Sequence, residues 1–153
     1  MDDVEGCLAC DLAAGREPLP GGLIAETTHW RVENCVGPLG VGTLLVKPKR
    51  HVTRVADLTV EESEELGPLL RRSVIVIERL VESHQTYVCL WSHAGGEPVH
   101  IHFVVQPVTR ALMDGHERCG PRLQVDMFNA REFPPEDAMV AFADAARPIF
   151  ADV

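Results

Sequence analysis

The stretch Val99-His100-Ile101-His102-Phe103-Val104-Val105 alternates between two kinds of side chain. Successive side chains of an extended strand point to opposite faces, so His100, His102 and Val104 share one face. The apolar side chains on the other face are expected to anchor the strand on the core. The two histidine Cα atoms should lie about 6.5 Å apart. A single strand histidine is typical of a half-buried structural residue, but a pair on one face favours a functional site.

Four other short segments, at residues 23–26, 30–35, 41–47 and 86–92, predict strands because they are apolar or alternating and are bounded by turn residues. The first three are separated by short turns, including the glycine and proline cluster at 37–40, and are expected to form an antiparallel meander. With a fifth strand at 98–106, the sequence predicts a five-stranded sheet.

Helical patterns surround these strands. Thr59 and Glu62 match a capping box ahead of a long amphipathic helix, which Pro68 is expected to kink near residues 64–68 or to delay in starting. Pro134-Pro135-Glu136 predicts the start of a C-terminal helix that covers the sheet. Its apolar stripe consists of Met139, Phe142, Ala143, Ala146, Ile149 and Phe150.

The segment between the strands and that last helix is also helical in pattern. Residues 123–130 are expected to form a short helix, while Gly115, Gly120 and Pro121 should break what precedes it. The order of elements predicts an α+β fold with one long helix and C-terminal helices.

The composition indicates one ordinary globular domain over residues 1–153, since 46% of the residues are apolar and 24% are charged. The net charge of -9 would repel a phosphate backbone, so no nucleic-acid partner is expected. No apolar run approaches the roughly 18 residues of a membrane span, and the acidic start is unlike a signal peptide. We therefore expect a cytoplasmic protein with no membrane partner.

The five cysteines are an odd number in a chain without an export signal, which argues against a disulfide framework. Cys7-Leu8-Ala9-Cys10 has the ligand spacing of a zinc site, but a redox pair or two ordinary thiols fit the same spacing. His51 and His100 would complete a tetrahedral set if the fold brings them together.

These motifs, in their order along the chain, resemble those of the histidine triad (HIT) superfamily. They are Cys7-x-x-Cys10, the element Lys47-Pro48-Lys49-Arg50-His51 after an apolar strand, and the run His100-Ile101-His102. The likeness spans residues 7–107 and leaves 108–153 as a C-terminal helical extension.

The resemblance implies an α+β fold with a five-stranded antiparallel sheet, pairing into a homodimer, and activity as a nucleotide hydrolase or nucleotidyl transferase. It also implies a zinc ion bound by Cys7, Cys10, His51 and His100. Because four protein ligands leave no open position, that zinc would be structural.

The same resemblance makes His102 the nucleophile, and imidazole is nucleophilic at neutral pH without further activation. His102 would attack the α-phosphorus of a small nucleotide and form a nucleotidyl-histidine that water or another acceptor resolves. A backbone carbonyl holding its other ring nitrogen would fix the reactive tautomer.

The sequence departs from the usual His-x-His-x-His pattern at Val104, which cannot donate a hydrogen bond. Losing one such donor costs on the order of 100- to 1,000-fold in rate, so weak activity or a changed acceptor is expected. Gln106, on the same face, is a candidate substitute. The acidic residue that commonly holds the ribose aligns with Cys35, for which Glu33 or Asn34 would stand in.

Gly95 and Gly96 resemble the glycine loop that precedes the histidine strand in the family. Their backbone amides would approach an anion, although a plain hairpin connection accounts for them equally well.

Two functions of different class follow. The first is a zinc-containing enzyme that acts through His102 on dinucleoside polyphosphates or nucleoside phosphoramidates. The alternative is a non-catalytic nucleotide-binding or sensing module. A thiol redox role for the Cys-x-x-Cys is weaker, because the pair lies near the terminus rather than at a strand-to-helix junction.

Overall fold

The computed structural model describes residues 3–93 and 96–153. Within them, a five-stranded sheet runs in the spatial order β1-β2-β3-β5-β4 with every neighbouring pair antiparallel. The strands are β1 (Leu23–Glu26), β2 (Trp30–Asn34), β3 (Leu44–Pro48), β4 (Gln85–Leu90) and β5 (Phe103–Val108). The predicted α+β fold and the antiparallel meander of β1, β2 and β3 are confirmed.

Strand β5 begins at Phe103, so the expectation of a strand from residue 98 is wrong by five positions. The β3–β5 ladder ends at the pair Val46 and Phe103, and Pro48 further along β3 has no N–H to extend it. His100 and His102 therefore lie in the extended segment that leads into β5. The Ile101 N–H holds this segment in place by donating to the Val52 carbonyl at 2.8 Å.

The helices are α1 (Leu8–Ala14), α2 (Val60–Leu80), α3 (Arg110–His116), α4 (Pro121–Ala130) and α5 (Glu136–Asp152). Both hydrogen bonds of the predicted capping box are present, and α2 starts directly after it. The expected delay in its start is wrong, since α2 begins at Val60, while the kink expected near Pro68 stays a prediction for a helix that continues to Leu80. Gly115 lies inside α3 rather than breaking it.

The two faces of the sheet pack differently. Helices α2 and α5 contact the sheet on one face, around a core that includes Val46 and Val105. Five residues of the predicted α5 stripe pack in this core, namely Phe142, Ala143, Ala146, Ile149 and Phe150, whereas Met139 is buried outside it. On the other face, Val104 joins a smaller apolar cluster with Leu123 and Met127 of α4. That second face carries the site, and α4 covers part of it.

None of the helices in the described part of the chain combines the length and the apolar character that a membrane crossing needs.

Candidate functional site

Four potential metal ligands meet at one end of the sheet. The sulfur atoms of Cys7 and Cys10 and ring nitrogens of His51 and His100 all lie within 4.8 Å of one another. Cys7 Sγ is 3.7 Å from His100 Nδ1, and Cys10 Sγ is 3.5 Å from Nδ1 of both histidines. The fold therefore brings together the four residues that the sequence offered as a set.

These distances fit a tetrahedral ion. Zinc bonds of about 2.3 Å to sulfur and 2.0 to 2.1 Å to nitrogen place sulfur and nitrogen ligands about 3.6 Å apart in a tetrahedron. Three of the four sulfur-to-nitrogen pairs, Cys7–His100, Cys10–His51 and Cys10–His100, each differ from that value by 0.1 Å. Two thiolates and two imidazoles are also a common donor set of structural zinc sites.

A backbone contact fixes the tautomer of His100. Its Nε2–H donates to the Pro48 carbonyl at 3.2 Å, which leaves Nδ1 unprotonated and facing the two sulfur atoms. Contacts of this kind orient metal-binding histidines in known sites. Pro48, which ends the β3–β5 ladder, thus also orients His100.

Burial shifts the pKa values of two residues of the cluster in the metal-free chain. It raises the pKa of the Cys10 thiol to about 11, and it lowers the pKa of His100 to about 4. The imidazole is therefore neutral at pH 7, as a metal ligand must be, whereas the thiol is protonated. Binding of a cation would displace the thiol proton.

A buried ion pair holds helix α1, which carries Cys10, against the sheet. The Lys47 ammonium pairs with the Glu33 carboxylate, and the two side chains are 1% and 0% exposed. The same ammonium donates to the Ala9 carbonyl of α1 at 2.7 Å. Sequence reasoning missed this role of Lys47, although a charged residue at the end of an apolar strand was a signal for it.

His102 lies outside the Cys/His cluster and is oriented by a backbone carbonyl. Its Nδ1–H donates to the His100 carbonyl at 3.0 Å, so Nε2 is the unprotonated nitrogen of the neutral ring. Nε2 has no hydrogen-bond partner within residues 3–93 and 96–153. His102 lines a cavity of about 500 Å³ together with His100 and Val104, a size typical of small-molecule sites.

The third triad position is occupied by apolar packing. Val104 is 4% exposed and belongs to the cluster beneath α4. Gln106 is fully buried, and its amide NH₂ donates to the Leu39 carbonyl at 3.2 Å. Its amide oxygen accepts from Gln124 at 3.0 Å. The expectation that Gln106 replaces the missing histidine is therefore wrong, because its polar atoms are engaged elsewhere.

The candidates for ribose binding separate by face. Asn34 donates to the carbonyls of Pro20 and Met139 and is not among the residues lining the His102 cavity. Glu33 and Cys35 both line the cavity, but the Glu33 carboxylate is held by Lys47. Burial raises the pKa of the Cys35 thiol to about 11, so this position carries no charge to replace a carboxylate.

Of the glycine pair, Gly95 lies outside the described residues. Gly96 lines the cavity, is exposed and has a φ of 82°, a conformation that favours glycine. Its N–H donates to the His93 carbonyl at 3.0 Å.

A larger cleft of about 960 Å³ lies beside His51 and Ile101. Its described lining residues include Trp91, Val125 and Phe128 and do not include His102. Of these two cavities, the smaller one is lined by His102.

The architecture is shared with solved structures of histidine triad proteins. The fold matches a Hit-like protein involved in cell-cycle regulation from Bartonella henselae with a TM-score of 0.71 and 14% identity, over 97% of this chain and 99% of that one. It matches a hypothetical histidine triad nucleotide-binding protein from Sulfolobus tokodaii with a TM-score of 0.71 and 15% identity, over 95% and 93%. The chain has the histidine triad fold.

A third structure with the histidine triad fold is a zinc-bound family protein from Mycobacterium smegmatis. Its TM-score is 0.66 at 20% identity, and the match covers 96% of this chain and 94% of that one. No protein-family model and no curated protein matches the sequence. The fold predicted from the motif resemblance is confirmed by these structural matches.

Proposed function

We propose that the chain is a zinc-containing nucleotide hydrolase or nucleotidyl transferase that acts through His102. The observation that carries the proposal is the hydrogen bond from His102 Nδ1–H to the His100 carbonyl. It leaves Nε2 as a lone-pair nitrogen on the wall of a cavity of nucleotide size. The substrate class, dinucleoside polyphosphates or nucleoside phosphoramidates, comes from the histidine triad resemblance.

The reaction has two displacement steps. His102 Nε2 forms a bond to the α-phosphorus, and the bond from phosphorus to the leaving group breaks with its electron pair, which takes a proton from solvent. In the second step a water oxygen, or the oxygen of another acceptor, attacks the phosphorus while its proton passes to solvent. The phosphorus–nitrogen bond then breaks and returns the neutral ring.

The His100 carbonyl contributes to both steps. While His102 carries the nucleotidyl group, both ring nitrogens are substituted and the ring is positively charged, and the carbonyl oxygen accepts a stronger hydrogen bond from a charged donor. Zinc, when bound by Cys7, Cys10, His51 and His100, supplies structural cross-linking of α1 to the segment that carries His102.

The test is AMP release from adenosine phosphoramidate and from diadenosine polyphosphates by the wild type and by His102→Ala. We expect turnover by the wild type and a loss of at least a thousandfold in the variant, on the order seen when an essential nucleophile is removed. Turnover that survives in His102→Ala would refute the role of His102.

A non-catalytic nucleotide-binding module is the second candidate, and the apolar packing of Val104 favours it. In that case the wild type binds AMP, measured by calorimetry, and releases none from either substrate class. Equal AMP affinity of the wild type and His102→Ala, without turnover by either, would support the binding module.

The homodimer implied by the resemblance also stays a prediction. Strand β4 is at one edge of the sheet, and Val88 on it is 44% exposed. Light scattering on the purified chain distinguishes a dimer from a monomer.

A further inference from the structure

The C-terminal extension builds one wall of the cavity beside His102. Phe128 of α4, Arg131 and Phe133 line this cavity. Helix α4 ends at Ala130, and Arg131, which caps it, has a left-handed φ of 53°. Residues outside the motif-bearing part of the sequence thus face the nucleophile.

Arg131 is distinguished from the other charged residues of this wall by its lack of a counter-charge. Among the described residues that line the cavity, Lys47 is neutralised by Glu33 within a buried pair. Glu97 is anionic and is 3.9 Å from His93 Nε2. No carboxylate in the described part of the chain pairs with Arg131. Arg131 is therefore the one uncompensated cation among the described residues of this cavity, in a chain with a net charge of -9.

The side chain of Arg131 is also positioned by an aromatic contact. Its guanidinium carbon lies 5.7 Å from the centroid of the Phe133 ring. An arginine that contacts the face of a ring keeps the N–H groups in its own plane available, and those groups match the geometry of phosphate oxygens.

We propose that Arg131 binds the phosphates of the leaving group when a polyphosphate substrate occupies the His102 cavity. The inference rests on the proposed function and deepens it by naming the preferred substrate as one whose leaving group is itself a phosphate chain. Arg131 would supply a charged donor in a site where the third position is Val104 and donates none.

The test separates binding from turnover. Diadenosine triphosphate and AMP are each titrated by calorimetry into His102→Ala chains that carry Arg131→Gln, Arg131→Lys or Arg122→Gln. Arg122 is a matched control, because it is an exposed arginine of the same helix that does not line the cavity. Zinc content and melting temperature of each variant verify that it is folded.

We expect Arg131→Gln to weaken diadenosine triphosphate binding about tenfold or more, as for loss of a charge-assisted hydrogen bond to phosphate. Arg131→Lys should recover part of that loss, and Arg122→Gln should bind as the parent does. AMP affinity should change less than the affinity for diadenosine triphosphate, because AMP has no leaving-group phosphates.

Equal affinity of Arg131→Gln and its parent would overturn the assignment, as would an equal loss in Arg122→Gln or an equal loss for AMP. Absence of diadenosine triphosphate binding by the His102→Ala parent would overturn it too. AMP release by the wild type decides the proposed function separately, so the two failures are distinguishable.

Discussion

The Cys/His cluster and the His102 cavity are built from adjacent residues and differ in completeness. In the cluster, two sulfur and two nitrogen ligand atoms all lie within 4.8 Å of one another, and His100 is 5% exposed. In the cavity, one histidine has the expected orientation while the third triad position is apolar. In the proposed function, His100 therefore has a structural role and His102, two residues further along the chain, has a chemical one.

The comparison indicates that the cluster and the cavity differ in how well they tolerate substitution. A tetrahedral site that loses a ligand loses most of its metal affinity, so its four members must be kept together. A binding cavity can take a donor from another element, provided that the donor reaches the same space. Arg131, which lines the same cavity, would be a donor of this kind.

The largest effect is expected from breaking the cluster. Cys10→Ser should abolish stoichiometric zinc binding, because a serine hydroxyl is a poor ligand for this ion. At a thousandfold excess of zinc over its Kd, the lost linkage is about 4 kcal/mol of unfolding free energy. The melting temperature should fall on the order of 10 °C.

Metal analysis and thermal denaturation check this prediction. Cys119→Ser is the control, since Cys119 is exposed and distant from the cluster in sequence, and it should leave both quantities unchanged. A Cys10→Ser chain that keeps its zinc and its melting temperature would show that the cluster is not the metal site.

A smaller effect is expected from breaking the buried ion pair of Lys47 and Glu33. Lys47→Met leaves the Glu33 carboxylate buried without its counter-charge and should cost about 3 kcal/mol of unfolding free energy. Lys49→Met is the matched control, because Lys49 pairs with Glu26 at the surface, and it should cost less than about 1 kcal/mol.

Urea denaturation measures both variants. The double variant Lys47→Met with Glu33→Leu should regain most of the loss, because an apolar pair replaces the orphaned charge. If Lys47→Met and Lys49→Met cost the same, the buried pair does not fasten α1 to the sheet.

The smallest effect on the unfolding free energy is expected from replacing Gln106. Gln106→Leu should lower the unfolding free energy by about 2 kcal/mol through the lost bonds to the Leu39 carbonyl and from Gln124. AMP release should not change, since the amide is engaged away from His102. Gln85→Leu, at an exposed position, is the control for stability. A folded Gln106→Leu chain that loses AMP release would show that Gln106 takes part in the reaction.

Local patterns predicted much of this arrangement. Alternation around His102 indicated its shared face with His100, and Thr59 with Glu62 predicted the start of α2. The strand boundary at Phe103 was missed because it depends on Pro48 of a partner strand. The wall around Arg131 was missed because it forms only after α4 packs on Val104, a contact that no local sequence pattern encodes.

The central claim is that His100 and His102 have separate tasks, and one experiment tests it most directly. Bound zinc and AMP release are measured on the same preparations of the wild type, His100→Ala and His102→Ala. The account predicts that His102→Ala keeps one zinc per chain and loses turnover, whereas His100→Ala loses zinc. Turnover by a zinc-loaded His102→Ala chain, or loss of zinc from it, would contradict the account.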